Sequence, residues 1–513
     1  MSGIKAMVIT SNKDRVLWLI DAALCVFAAY VGWRCINYAS GVLLPSDSAI
    51  FVNIAHHLVH GKLLYHDVWE NKQPVVFAIN ALALKLGDGS FNSIRAMERL
   101  FAVGAAIAFF IITVRTFVSS WIATTFTIIF LVYFYSPMTF SMGNFTEEYA
   151  SVFMLFGVLC SLEAVRRENT FLVLLSGVFF SVSVLTKEPF LLSALPWIVY
   201  LLLSKAGKSG GLRRLSIFTA GGAIPLLVAA AWFAITGTLT LWLDVIYFNL
   251  TFSTHETSYQ SPISQKVALS IHAFSTLVWF IRTVNVFFVL GVISVFQKSF
   301  LRKYRYVPLV LPFWFILSLL AVNIQNHHYN HYYIQVMPGF IMTAACGAAW
   351  MAFNGKRAFR PMLSDVLMAA FLILSLLIFD NTMARAGFNM LTKYAASTVA
   401  EDPVSLYIKE HTKDNDTIWV PSYDKYIYLQ SGRLSPTKYL FFFGMSFFPG
   451  MLETTTQKMA SLRADLLKNR PAFIFLTRDN ELDILSPVGI PQWVKENYTL
   501  DSTWYDGQLL RRN

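Results

Sequence analysis

The chain has 513 residues, of which 56% are hydrophobic and 14% charged, with 44 phenylalanines and a formal net charge of +11. So much apolar area exceeds the needs of a soluble core, and lipid must be the solvent for most of the chain. The positive charge does not mark a nucleic-acid binder, because the basic residues collect in short loops between apolar runs and not on one face.

Val16 to Ile36, preceded by Lys5, Lys13 and Arg15, reads as a retained membrane anchor, since no small-x-small cleavage pattern with a polar exit follows it. The stretch 41–94 comes next and holds the moderately apolar run Pro74 to Leu86, too short for a full span and carrying Asn80 and Lys85. If it crossed the bilayer, every later loop would change sides, so an interfacial helix on the outer surface is expected. Further crossings are expected near 95–116, 120–137, 149–164, 170–186, 189–204, 215–236, 274–297, 307–323, 334–353 and 362–381, about 11 transmembrane helices with the first. This register puts Arg166-Arg167, Lys205 to Arg214, Lys298 to Arg305 and Lys356 to Arg360 on the cytoplasmic side, with the N-terminus. The four cysteines, Cys25, Cys35, Cys160 and Cys346, all lie inside apolar spans, so neither a disulfide framework nor a zinc knuckle is expected.

The tail differs in kind. Strand-like runs (Thr417 to Pro421, Ala472 to Thr477) alternate with helical stretches (Pro403 to His411, Gln457 to Leu467) and turn residues such as Ser431-Gly432. The expected organisation is therefore an α-helical polytopic membrane domain over 1–390 and a small extracytoplasmic α/β domain over 391–513. No internal repeat stands out, which weakens an inverted-repeat transporter.

Ionisable groups at the outer edge of the bilayer are functional candidates by default. In chain order they begin with Asp47, directly after the first span, a carboxylate that could accept a proton or simply open a helix. Tyr65 to Pro74 follows, with Glu70 and Lys72 at the mouth of the interfacial helix; Lys72 suits a phosphate partner or an interface belt. Glu147 and Glu148 begin a span and project about 100° apart, so at most one should face the cavity of Asp47. Both also suit the positive end of a helix dipole. Lys187, in Thr186-Lys187-Glu188-Pro189, runs against the positive-inside bias and would pair with a phosphate or with Glu188. The last group is Asn326 to Tyr333, where His327 and His331 share a helical face among Tyr329, Tyr332 and Tyr333; metal binding, sugar stacking and an interface belt all fit.

Together, the acid after the first span, the stretch before the interfacial helix, the acid of the second outer loop, the Thr186-Lys187 turn and the Asn326 to Tyr333 loop resemble the GT-C glycosyltransferases. The likeness is to bacterial glycosyltransferase family 39, related to protein O-mannosyltransferases and lipid A aminoarabinose transferases. It covers about 40–350 and, more loosely, Tyr407 to Thr412 and Tyr428 to Arg433 in the tail. Where that family places an Asp-Glu pair, this chain has Asp47 and Ser48, and glutamate stands where the second-loop aspartate is usual. The resemblance implies a GT-C fold and an inverting transferase in the inner membrane, moving a sugar from a polyprenyl-phosphate donor to a glycan, lipid or protein acceptor. Asp47, with Glu147 or Glu148, would be catalytic, and Lys72, Lys187, Arg95 and Arg99 would bind the donor phosphate. Tyr65, Tyr329 and Tyr332 would contact sugar or acceptor. Glu70 with His327 or His331 would ligate a divalent cation, as in those members that use one. The absence of a P-loop or a strand-borne GxGxxG agrees with a donor that is not a nucleotide. A transporter or flippase for a lipid-linked sugar is the alternative, and a membrane scaffold presenting the tail is a third.

Overall fold

The computed structural model describes residues 12–39, 46–140, 142–204, 208–255, 282–324, 329–355, 381–393, 401–422, 424–440, 451–477, 481–504 and 507–513. The chain is mainly helical: α1 (Asn12–Ala39), α2 (Ser46–Val59), α3 (Pro74–Leu86), α4 (Phe91–Phe117), α5 (Ser120–Phe134), α6 (Pro137–Phe140), α7 (Thr146–Arg167), α8 (Thr170–Thr186), α9 (Phe190–Leu203), α10 (Lys208–Ile235) and α11 (Leu239–His255). After these come α12 (Arg282–Ile293), α13 (Lys298–Lys303), α14 (Val307–Ile324), a 3-10 turn over Asn330–Gln335, α15 (Met337–Gly355) and α16 (Asn381–Thr392).

Among the described residues five helices are long and apolar enough to cross a bilayer, and shorter apolar helices stand beside them. With the fold they form, this is a multi-pass membrane protein. Pro74–Leu86 is a helix of 13 residues, short for a span. The expected crossing at 362–381 falls almost wholly outside the described residues, as does the first part of that at 274–297.

Local chemistry sets the boundaries. Ser90, Ser119 and Asn169 accept backbone N–H groups at the starts of α4, α5 and α8. α5 stops at Phe134, short of the expected 137, because Pro137 pushes Ser136 out of helical geometry and opens the short α6. Within the bundle α8 packs on α7 and α10, α1 on α4, α9 on α14 and α12 on α15. Small residues bring α8 and α10 together: a Cβ on Gly177 would lie 2.0 Å from the Phe218 carbonyl oxygen, and one on Gly221 2.1 Å from that of Leu174.

The tail adds α17 (Pro403–Glu410), α18 (Tyr426–Ser431), α19 (Thr455–Asn469) and α20 (Ile490–Asn497), with strands β1 (Ile418–Trp419), β2 (Phe473–Leu476), β3 (Tyr498–Trp504) and β4 (Gly507–Arg512). The sheet order is β1-β2-β4-β3, parallel between β1 and β2 and antiparallel elsewhere. β1 and β2 fall inside the two expected strand runs; β3 and β4 lie where no strand was expected. Asp402 caps α17, and Thr454 with Gln457 forms a capping box on α19.

The α/β region is not a bead on a string. One of its apolar clusters takes in Trp69 and Phe248, side chains from the loop before α3 and from α11, together with Trp419, Leu462 and Trp493. The Trp69 amide donates to the Lys438 carbonyl (2.8 Å), and the Ser435 amide donates to His57 Nε2 (2.9 Å). Asp244 of α11 accepts the amides of Met451 and Leu452. The tail therefore packs on the same end of the bundle as α2 and the loop before α3. Basic side chains gather at the ends of other helices: Arg115, Arg166 and Arg167 around Glu163, and Arg214 and Arg305 near Tyr200.

Candidate active site

The site begins with a turn. Met142, Gly143 and Asn144 all have positive φ (74°, 91° and 58°), a run that folds the chain sharply into α7. Two buried groups of α4 hold it: Glu98 accepts the Asn144 amide at 2.6 Å, and Arg95, ion-paired to Glu98 at 2.7 Å, donates to the Met142 carbonyl. Across the gap Ser48 donates its hydroxyl to the Gly143 carbonyl, while Asn144 Nδ2 donates to the Ser48 carbonyl. The start of α2, and with it Asp47, is thus fixed against the start of α7. This accounts for the serine beside Asp47: it is a structural link.

From this turn Glu147 and Glu148 diverge. Glu147, 1% exposed, is ion-paired to Lys187, which is 5% exposed and leans over the Tyr332 ring, its Nζ 3.9 Å from the centroid. The Thr146 hydroxyl donates to the other Glu147 oxygen at 2.9 Å. Glu148 is fully buried on the other side of the helix, within electrostatic reach of Glu98 and Arg95. Lys187 does not pair with its neighbour: Glu188 instead accepts from Gln73 Nε2 (2.8 Å) and Asn249 Nδ2 (2.9 Å). Asn249 also donates to the Asn71 carbonyl at 2.7 Å, and Trp242 Nε1 donates to Gln73. A polar net therefore ties Glu188 of the Lys187 turn to the Glu70–Gln73 loop.

In that loop Lys72 donates to Asn71 Oδ1 and stands 4.0 Å from a Glu70 oxygen. Burial raises the Glu70 carboxyl above its usual range, against the opposing pull of Lys72 and of the Asn71 amide. His331 lies between the rings of Phe145 (4.1 Å, parallel) and Tyr329 (5.7 Å); burial holds its imidazole below its ordinary value, with Glu147 opposing. Asp47 is exposed and within electrostatic reach of Glu70, His331 and Tyr332; Lys72 reaches the last two as well. Asp47, Glu70, Lys72, Glu147, Lys187, Tyr329, His331 and Tyr332 thus come together at one end of the bundle.

Other sequence candidates lie elsewhere or are already engaged. Tyr65 is 1% exposed, and its hydroxyl donates to the Lys72 carbonyl, so it props the loop and offers no face to a sugar. Arg95 is committed to the turn at 142–144, and Arg99 donates to Asn37. His327 is outside the described residues. Among the described residues no three His, Cys, Asp or Glu side chains are grouped to hold a metal. His331 stacks on the rings of Phe145 and Tyr329, and one Glu70 oxygen accepts the Asn71 amide. Sequence reasoning did not foresee that Phe145 seats His331 or that Gln73, Glu188 and Asn249 form a net; the polar character of the last three in an apolar chain was their signal, and Phe145 gave none.

The comparisons agree with this architecture. Residues 71–235 match the sequence profile of the family described as dolichyl-phosphate-mannose-protein mannosyltransferase. No curated protein sequence matches the chain. Among solved structures, ArnT from Cupriavidus metallidurans in the apo state is similar at 13% identity, covering 97% of this chain and 98% of that one, with a TM-score of 0.60. The archaeal oligosaccharyltransferase AglB from Archaeoglobus fulgidus, in complex with an inhibitory peptide and a dolichol-phosphate, is similar at 11% identity, covering 94% and 73%, with a TM-score of 0.55. The oligosaccharyltransferase of the same organism tethered with an acceptor peptide gives 12%, 94%, 72% and 0.54. From the first residues to the tail, this chain has the GT-C fold.

Proposed function

We propose that the protein transfers a sugar from a polyprenyl-phosphate donor to a cell-envelope acceptor, at the extracytoplasmic face of the inner membrane. The observation that carries this reading is the meeting of an exposed acid, Asp47, with two lysines, Lys72 and Lys187, from three separate segments. A prenyl tail stays in lipid while its phosphate meets the lysines; Tyr329, more than half exposed, and Tyr332 offer aromatic faces to the sugar. The acceptor hydroxyl attacks the anomeric carbon opposite the phosphate, the bond from that carbon to the phosphate oxygen breaks with inversion, and the hydroxyl proton passes to Asp47. The leaving group is the prenyl phosphate, whose growing charge the lysines stabilise. Glu147 holds Lys187 in place until the phosphate arrives. The positive-inside placement of the arginine-rich turns supports an outer site and a C-terminal domain on that same side. Support for a lipid-phosphate donor comes from the family profile and from the dolichol-phosphate bound by the archaeal relative. A transporter path would instead call for charges midway along broken helices.

The test is Asp47→Asn in purified protein supplied with polyprenyl-phosphate sugars. Transfer should fall by about 10²- to 10⁴-fold with insertion and thermal stability unchanged. Near-normal turnover would remove Asp47 as the base.

A further inference from the structure

Lys458 is a buried cation that forms no ion pair within 4.0 Å among the described residues. It sits on the first turn of α19 at 1% exposure, and its ammonium meets no hydrogen-bond acceptor among the described residues. It lies instead against two rings from outside the tail, 4.6 Å from the Trp69 centroid and 4.8 Å from that of Phe248, which meet edge to face at 5.2 Å. A buried ammonium without a hydrogen bond is costly, and the two ring faces supply the attraction that holds it there. Both rings are one residue from the polar net of the site. Trp69 precedes Glu70, Asn71 and Lys72; Phe248 precedes Asn249, which donates to the Asn71 carbonyl and to Glu188, the neighbour of Lys187.

We infer that Lys458 is a positioning residue: seated on the Trp69 and Phe248 rings, it braces from the tail the loop that presents Lys72 to a lipid phosphate and α11, whose Asn249 holds Glu188 beside Lys187. This rests on the phosphate-binding reading above. The α/β region is then part of the donor site, although none of its side chains needs to touch the donor. Asp244 on α11 and Glu453 and Lys438 in the tail are the ionisable groups facing the ammonium.

The experiment uses the full chain in lipid nanodiscs, with undecaprenyl phosphate as probe and amide hydrogen exchange as a second readout. Lys458→Met keeps the length of the side chain and loses its charge; Lys458→Arg keeps the cation over the rings. In Lys458→Met, affinity for the probe should fall about tenfold and exchange at 69–73 should rise, with both near wild type in Lys458→Arg. Burial lowers the lysine to about 8, so wild-type affinity should weaken above that pH more than that of Lys458→Arg, whose guanidinium stays charged. Unchanged affinity and exchange in Lys458→Met would overturn the inference, as would equal losses in Met and Arg with loosening throughout the tail. If wild type fails to bind the probe while Lys458→Met still loosens 69–73, the brace stands and the lipid-phosphate reading falls.

Discussion

At the scale of single residues, the Glu147–Lys187 pair carries the clearest energetic signature. Both are buried, Glu147 on α7 and Lys187 in the turn after α8, so removing one charge strands the other in a low-dielectric setting. Glu147→Gln should therefore destabilise the protein by about 3–5 kcal/mol in thermal or denaturant unfolding, whereas the double variant Glu147→Gln/Lys187→Met should recover most of that and still lack transfer. Recovery of activity along with stability would make the pair structural only. The sequence pointed to both residues: an acid at the expected outer edge of a span is costly to bury, and a lysine expected there runs against the positive-inside bias. It could not join them: they are 40 positions apart, and the nearer partner, Glu188, is claimed by Gln73 and Asn249. Which acid of the adjacent pair faces Lys187 likewise needed the phase of α7, which no local pattern fixes.

At the scale of elements, the left-handed turn before α7 aligns the acid of one loop with the acid of the next. Gly143 is required twice over: its φ is +91°, and an added Cβ would lie 2.3 Å from Glu98 Oε1. Gly143→Ala is expected to destabilise the protein by about 1–3 kcal/mol, read as a lower midpoint of thermal unfolding. It should also lower transfer, since Ser48 hangs from the Gly143 carbonyl. Wild-type stability in that variant would mean that the turn is softer than its three positive φ values imply. The helices themselves were legible, because runs of apolar residues between basic loops leave few choices; α8, expected at 170–186, has those very bounds. Turns were not legible, since their geometry follows from distant partners such as Glu98. β3 and β4 were missed for a related reason: their exposed positions leave no continuous apolar run to read.

For the molecule as a whole, the junction between membrane helices and tail is sealed partly by a histidine. His57 is buried and takes the Ser435 amide on Nε2 while Nδ1 faces the Asn53 carbonyl, an arrangement that demands the neutral ring with its proton on Nδ1. Burial lowers its pKa from 6.5 to about 4, with the Asn53 hydrogen bond opposing. The unfolded chain then binds more protons than the folded one between those values, so the contribution of this contact is complete above about pH 6.5 and lost as pH falls towards 4. The full loss should be roughly 3 kcal/mol. Unfolding midpoints measured from pH 7 to 4 should show this slope in wild type and much less of it in His57→Gln.

The two halves of that junction are 378 residues apart in the chain, which puts the assembly on a clock. At about 5–20 residues per second, the ribosome needs roughly 20 to 75 seconds after making His57 to deliver Ser435. Throughout that interval Trp69 waits without the part of its cover that the tail supplies, an aromatic side chain at the rim of a half-built protein. The site can close only once the tail has been made.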